Sequence, residues 1–293
     1  MLAGMMLIGS VVTLGVWAGR NPVAVLNAAA RRSTFVGRFD IAYGAGPRRS
    51  LDVYMPAGRG APAPGGGKPP LVVFFYGGSW QSGRRGDYRF VGEALASRGF
   101  VVAIPDYRLY PDAVFPDFVE DAAAAVRWAR DHAAELGADP RRLFVAGHSA
   151  GAQIATLLAT DGRFLEAQSL DKRDLAGVVG LAGPYDFLPL KDATLMRVFP
   201  EPVREASQPI RFVDGREPPM LLISGLRDAT VKPGNTARFA ARVAAAGGVV
   251  QIRLYPRVGH ALLVGAFGRP MRRFAPVLDD VAAFVRTARR ART

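Results

Sequence analysis

Cysteine is absent from this 293-residue chain, which excludes disulfides, a thiolate nucleophile, Cys-ligated zinc and iron–sulfur clusters. Histidine is nearly as scarce, with three residues, His132, His148 and His260. No His-Glu-x-x-His pair, phosphate-cradling loop or dinucleotide fingerprint occurs, so no metal and no organic cofactor is expected. No internal repeat is visible. Lysine is reduced to four residues against 34 arginines, and 25 acidic side chains leave a formal charge of +13. The arginines are scattered from Arg20 to the basic tail Arg286–Arg292 rather than gathered in one stripe. That spread reads as compositional bias, and no nucleic-acid partner is expected.

What is present supports a sizeable core: 49% of residues are hydrophobic and 22% charged, which sets aside disorder and fibrous classes. Residues 1–19 carry no charge, and the run 2–18 is almost continuously apolar. As a helix it would cover roughly 25 Å of hydrocarbon. It is expected to be a signal peptide, with Val16-Trp17-Ala18 or Ala28-Ala29-Ala30 offering small residues for cleavage, or an uncleaved membrane anchor. Arg20, Arg31, Arg32 and Arg38 all follow it, which for a retained anchor favours a cytoplasmic body. A helix packed on the domain it precedes is the third reading. Residues 1–30 are accordingly set apart as this segment plus a linker, leaving 31–293 as a single domain that is membrane-associated or exported.

Short apolar runs then alternate with longer amphipathic stretches, the pattern of an α/β fold with a mostly parallel sheet and helices on both faces. Phe35–Tyr43 and Leu51–Met55 read as an antiparallel edge pair around Gly44-Ala-Gly-Pro47, and Ala57–Pro70 as a loop. Leu71–Phe75, Phe100–Ile104, Leu143–Ala146, Val178–Leu181, Met220–Ser224 and Val249–Tyr255 are expected as buried strands. Helices are expected over Asp117–Leu136, Ala150–Ala159, Thr236–Ala246 and Phe274–Arg289. Residues 187–219, with six prolines and few clean periods, are expected to form a short lid or insertion over the sheet's carboxyl edge.

The sharpest motif is Gly147-His148-Ser149-Ala150-Gly151, between a predicted strand and a predicted helix. Such an elbow exposes its serine at the strand tip, beside a helix amino terminus whose free N–H groups favour developing negative charge. The Ala150 N–H is placed to face the oxyanion of an acyl transition state. A serine hydroxyl needs a base. His148 adjoins Ser149, so its side chain should diverge and pack or line the pocket; His132 lies in the charged stretch Arg130-Asp131-His132 and reads as a surface residue. His260, after the last strand, remains as the general base. Two carboxylates compete to orient it: Asp228, beyond the strand Met220–Ser224, and Asp186, in Gly183-Pro-Tyr-Asp186. Asp228 has the better spacing, although a loop-capping role beside Thr230 would also account for it. The paired glycines of Phe75-Tyr76-Gly77-Gly78-Ser79-Trp80 would let backbone N–H groups approach a substrate oxygen.

Together Tyr76–Trp80, Asp106-Tyr-Arg-Leu-Tyr-Pro111, Gly147–Gly151, Gly225–Asp228 and Gly259-His260 resemble the α/β-hydrolase fold. Within it they are similar to the hormone-sensitive-lipase-like esterases and the BD-FAE group of feruloyl-type esterases and kynurenine formamidases. The resemblance runs from about Phe35 to Arg286. It implies Ser149 as nucleophile, Asp228 as acid, His260 as base, and Gly78, Ser79 and Ala150 as main-chain oxyanion donors, acting on a small-molecule ester through an acyl-enzyme. The group usually opens its oxyanion loop with His-Gly-Gly; here Tyr76 stands in the histidine's place, so a different hydrogen bond must brace the loop. The alternatives are an amidase, arylformamidase or aminopeptidase on the same machinery, or a non-catalytic binding protein on the same fold.

Overall fold

The computed structural model describes residues 22–57 and 67–288. The apolar run 2–18, with its anchor and signal-peptide readings, lies outside the described residues, as do 58–66 of the Gly/Pro-rich loop and 289–293 of the basic tail. Among the described residues no helix is long and apolar enough to cross a membrane.

Eight strands form one sheet: β1 (Phe35–Ala42), β2 (Ser50–Pro56), β3 (Leu71–Phe75), β4 (Val101–Pro105), β5 (Leu143–His148), β6 (Leu175–Leu181), β7 (Met220–Gly225) and β8 (Val250–Tyr255). Their order is β1-β2-β4-β3-β5-β6-β7-β8. β1 and β2 are antiparallel to their neighbours, and all pairs from β4 to β8 are parallel. Around the sheet lie α1 (Pro22–Ala28), α2 (Arg89–Ala96), α3 (Asp117–Asp131), α4 (Ala150–Thr160), α5 (Arg163–Glu166), α6 (Ala193–Val198), α7 (Gly234–Ala245), α8 (His260–Gly265) and α9 (Val277–Thr287). The continuous apolar runs of β3, β4, β5 and β7 are buried at every residue, as strands covered on both faces must be. Phe74 and Phe144 meet Phe267 and Phe284, with ring centroids 6.5 and 6.3 Å apart.

This topology locates the site. From β3 the chain moves to β4 on one side and then returns to β5 on the other, so the loops leaving β3 and β5 diverge at their carboxyl ends. A crevice opens at such a switch point, and the Tyr76–Trp80 loop and Ser149 both border it.

Four local expectations change. β8 is exposed along most of its length, with Ile252 and Leu254, and Val249 just before it, open to solvent, because it is the last strand of the sheet and one edge has no neighbour among the described residues. The regular part of α3 stops at Asp131; the chain continues as turns to Gly137, whose φ of +73° ends the coil. α2 is an amphipathic helix whose brevity concealed its period. Its Glu93 is buried and paired with Arg269 at 2.6 Å and Arg272 at 3.1 Å, pinning the segment after α8. Residues 22–28, grouped by sequence with the linker, form α1 and dock on the body: Asn27 donates to Gly86 O at 2.9 Å and accepts from Phe90 N at 3.1 Å. Residues 187–219 comprise α6 and three 3-10 turns, Glu201–Val203, Glu205–Ser207 and Pro209–Phe212. Phe199 is fully buried there, 4.7 Å edge-on from Trp80.

Candidate active site

The Gly-x-Ser-x-Gly segment turns where β5 meets α4. Ser149 sits at the turn with φ 56° and ψ −122°, a sparsely populated conformation held by its surroundings. The flanking glycines explain why it can persist. A methyl group on Gly151 would lie 2.1 Å from Phe75 O, and one on Gly147 would lie 2.1 Å from Gly151 O, so the elbow is pressed directly on the main chain of β3. Gly151→Ala is expected to lower unfolding free energy by about 1–3 kcal/mol, because only backbone could move aside. Urea denaturation measures this, and an unchanged midpoint would contradict the close approach.

Across the crevice, His260 presents Nε2 to Ser149 Oγ at 2.9 Å and Nδ1 to Asp228 Oδ2 at 2.7 Å. Three side chains from β5, β7 and β8 thus converge in one hydrogen-bonded line, with the serine 8% and Asp228 3% exposed. The two loops that bring acid and base together are tied to each other. Leu226 N donates to Tyr255 O and Arg227 N to Val258 O, both at 3.0 Å. Asp228 Oδ1 accepts from Thr230 N at 2.9 Å and Val231 N at 2.8 Å, so one oxygen caps the loop while the other faces the imidazole. The capped oxygen fixes the carboxylate plane, leaving the other to hold the Nδ1–H tautomer that points a bare Nε2 at the serine.

The remaining candidates are placed elsewhere. Asp186 pairs with Arg238 at 2.5 Å and is not the carboxylate that His260 meets. The His132 ring stacks on Trp128 at 4.2 Å and its Nδ1 faces Trp128 O at 2.8 Å, closing the end of α3. His148 is buried against the His260 ring.

The Tyr76–Trp80 loop follows β3 and lies against the serine, since a methyl on Gly77 would come within 2.9 Å of Ser149 Cβ. Gly78, Ser79 and Trp80 all have positive φ, 135°, 54° and 59°. At Gly78 a side chain would also strike Ser82 O, at 2.1 Å. Among the hydrogen bonds of the described residues, the N–H groups of Gly78, Ser79 and Ala150 have no acceptor. These are the groups an oxyanion would use.

Tyr76 braces this loop through a network that sequence alone did not reveal. Its hydroxyl donates to Asp106 Oδ1 at 2.8 Å and accepts from Arg48 Nη2 at 2.7 Å. Tyr107 OH donates to Tyr76 O at 2.7 Å, and the two rings stack at 4.7 Å. Burial first, then the neighbouring Tyr107 and Asp106, push the Tyr76 pKa far above the ordinary phenol value, so it stays a donor. Arg85 holds the second oxygen of Asp106. Arg48 comes from the β1–β2 turn and also reaches Gly83 O at 2.7 Å. Only the carboxylate directly after β4 hinted at this role; nothing in the sequence pointed to Arg48. Buried Gln153 on α4 completes the frame, accepting from Trp80 Nε1 at 3.2 Å and donating to Ser207 O at 2.8 Å.

A model of the BD-FAE family matches residues 51–243, more than half of the chain. The chain belongs to the BD-FAE family. An isoprenylcysteine alpha-carbonyl methylesterase of Arabidopsis thaliana is 29% identical over 245 residues, 76% of this chain and 56% of that protein. The carboxylesterase NlhH of Mycobacterium tuberculosis is 42% identical over 92 residues, 31% of this chain and 28% of that protein. The chain spans about half the length of the curated relatives it matches most extensively. A solved esterase from Pyrobaculum calidifontis shares the fold with a TM-score of 0.75 at 23% identity, covering 91% of this chain and 90% of that one. A carbohydrate esterase from gut microbiota does so at 0.75 and 21%, covering 87% and 97%.

In this BD-FAE chain the buried elbow histidine has a measurable cost. Burial, and secondarily His260, push the His148 pKa down from 6.5 to about 3, partly offset by its bond to the His260 carbonyl. The unfolded chain binds that proton below about pH 6.5, the native chain only near pH 3. Stability from this group is therefore complete above pH 6.5 and is lost as pH falls toward 3. Unfolding midpoints are expected to decline through that window less steeply in His148→Gln than in wild type; identical slopes would contradict a buried neutral ring.

Proposed function

We propose that this BD-FAE protein is a serine carboxylesterase working through an acyl-enzyme. The observation that carries the reading is the line Ser149 Oγ, His260 Nε2, His260 Nδ1, Asp228 Oδ2, with successive separations across the two hydrogen bonds of 2.9 and 2.7 Å. Beside it stand backbone donors without acceptors, and relatives named as carboxylesterase and methylesterase support the same chemistry.

Ser149 Oγ bonds to the ester carbonyl carbon as His260 Nε2 takes its proton, and Asp228 stabilises the resulting imidazolium. The carbonyl electrons move onto oxygen, where the N–H groups of Gly78, Ser79 and Ala150 receive the negative charge. Collapse breaks the C–O bond to the alcohol, which leaves with the proton from His260. Water then attacks the acyl carbon, gives its proton to His260, and the carboxylic acid departs as the proton returns to Oγ. The imidazole thus ends each turnover neutral, and the ester substrate is a small molecule held at the crevice. The apolar run 2–18 is proposed to bring the chain to a membrane; recovery of the intact chain wholly in the soluble cytosolic fraction would overturn that part.

A fluorophosphonate probe and a panel of short p-nitrophenyl esters test the activity. Wild-type protein should label once per chain and hydrolyse the esters; folded protein doing neither would overturn the proposal. N-formylkynurenine or aminoacyl amides turned over faster than every ester would reassign the enzyme to C–N bonds.

A further inference from the structure

His148 precedes the proposed nucleophile, and its imidazole is almost wholly buried, 5% exposed. Its Nε2 lies 3.1 Å from the main-chain carbonyl oxygen of His260, and the two imidazoles pack with centroids 4.7 Å apart at 44°. Its Nδ1 is buried without a hydrogen-bond partner among the described residues and faces Gly77, where a methyl would come within 3.1 Å of it. The carbonyl can only accept, so Nε2 carries the hydrogen and Nδ1 is the unpaired acceptor. Burying an unpaired acceptor is unfavourable, and a leucine would fill the same volume without that penalty. The bond on the other nitrogen is what an apolar side chain could not supply.

We infer that His148 is a positioning residue for the general base, acting with Ser149 as a two-point clamp on His260. Consecutive residues of one elbow hold the same partner at two places, His148 its carbonyl and Ser149 its Nε2. The carbonyl belongs to the first residue of α8, so the clamp sets both where that helix begins and where its first side chain reaches. β5 and the base-bearing segment then move as one unit, and the 2.9 Å serine–imidazole separation survives fluctuations of the exposed β8 edge. An uncharged side chain suits this place, because the positive charge formed on His260 during turnover arises against it. The inference rests on the esterase reading of the same site.

The test compares wild type with His148→Leu, His148→Gln and His148→Asn, using p-nitrophenyl acetate for kcat and KM, fluorophosphonate labelling rates and thermal midpoints. Gln places an amide N–H close to the position of the imidazole Nε2, whereas Asn is too short to reach the His260 carbonyl. Loss of the clamp is expected to lower kcat and labelling rate by roughly 10- to 100-fold in the Leu variant, since small displacements of a catalytic group cost up to about two orders of magnitude. KM should change less than about twofold, while the Gln variant retains wild-type kcat within about threefold. If the Leu variant does not fold, the Asn variant carries the same expectation. A folded Leu or Asn variant with wild-type kcat overturns the inference, as does a Gln variant impaired as severely as Leu. Active wild type with either result isolates the failure to His148; inactive, unlabelled wild type overturns the esterase reading and this inference together.

Discussion

Ser149→Ala is expected to lower ester turnover by about 10⁴- to 10⁶-fold and to abolish fluorophosphonate labelling, with the protein still folded. The hydroxyl is the only group at the elbow placed to donate its proton to His260 Nε2, and no thiol can replace it in a chain without cysteine. In hydrolases with such a relay, loss of the nucleophile forfeits the covalent route and leaves only what binding and oxyanion stabilisation provide. The fold should tolerate the change, because Ser149 makes no side-chain capping bond to α4, and alanine keeps the same Cβ at the strained turn. The measurement is kcat/KM on a short-chain ester alongside an unfolding curve. Turnover within tenfold of wild type in a folded variant would remove Ser149 as nucleophile.

Asp228→Asn is expected to cost about 10³- to 10⁴-fold in kcat/KM. Asparagine can keep the bonds from Thr230 and Val231 on its carbonyl oxygen, so the loop should hold its shape. It then presents N–H to the imidazole where the carboxylate presented oxygen. That reverses the tautomer, putting a proton on Nε2 facing a hydroxyl that must itself donate. Asp186→Asn serves as the comparison: its carboxylate engages Arg238 at the surface, and kcat/KM should stay within about threefold. A reversed pattern, with Asp186 essential and Asp228 dispensable, would reassign the acid.

Much of this site was readable because it is built from local features. The glycines around Ser149 occupy consecutive sequence positions, and the tight strand-to-helix turn follows from what they lack. With three histidines in the chain, elimination could reach His260, and spacing favoured Asp228 over Asp186. The parallel strands β3 to β7 were legible as apolar runs because both their faces are covered. β8 interleaves Gln251 and Arg253 with its apolar residues and is exposed along most of its length; an apolar residue records what a strand can bury, not whether another strand lies beyond it. The end of α3 and the existence of α2 turned on backbone continuation at particular residues, where short amphipathic patterns are weak signals.

By itself the sequence determined the kind of fold and the identity of the groups able to react, since strand periodicity and the elbow depend on side chains near one another along the chain. Only the tertiary structure decided how those groups are held. Arg48 joins Tyr76 and Asp106 from a distant turn, Gln153 links Trp80 to Ser207, and His148 grips a carbonyl 112 residues away. Such partners are chosen by how loops from separate strands pack at the sheet's carboxyl edge, and hydrogen bonds between them leave no periodic trace in the order of residues.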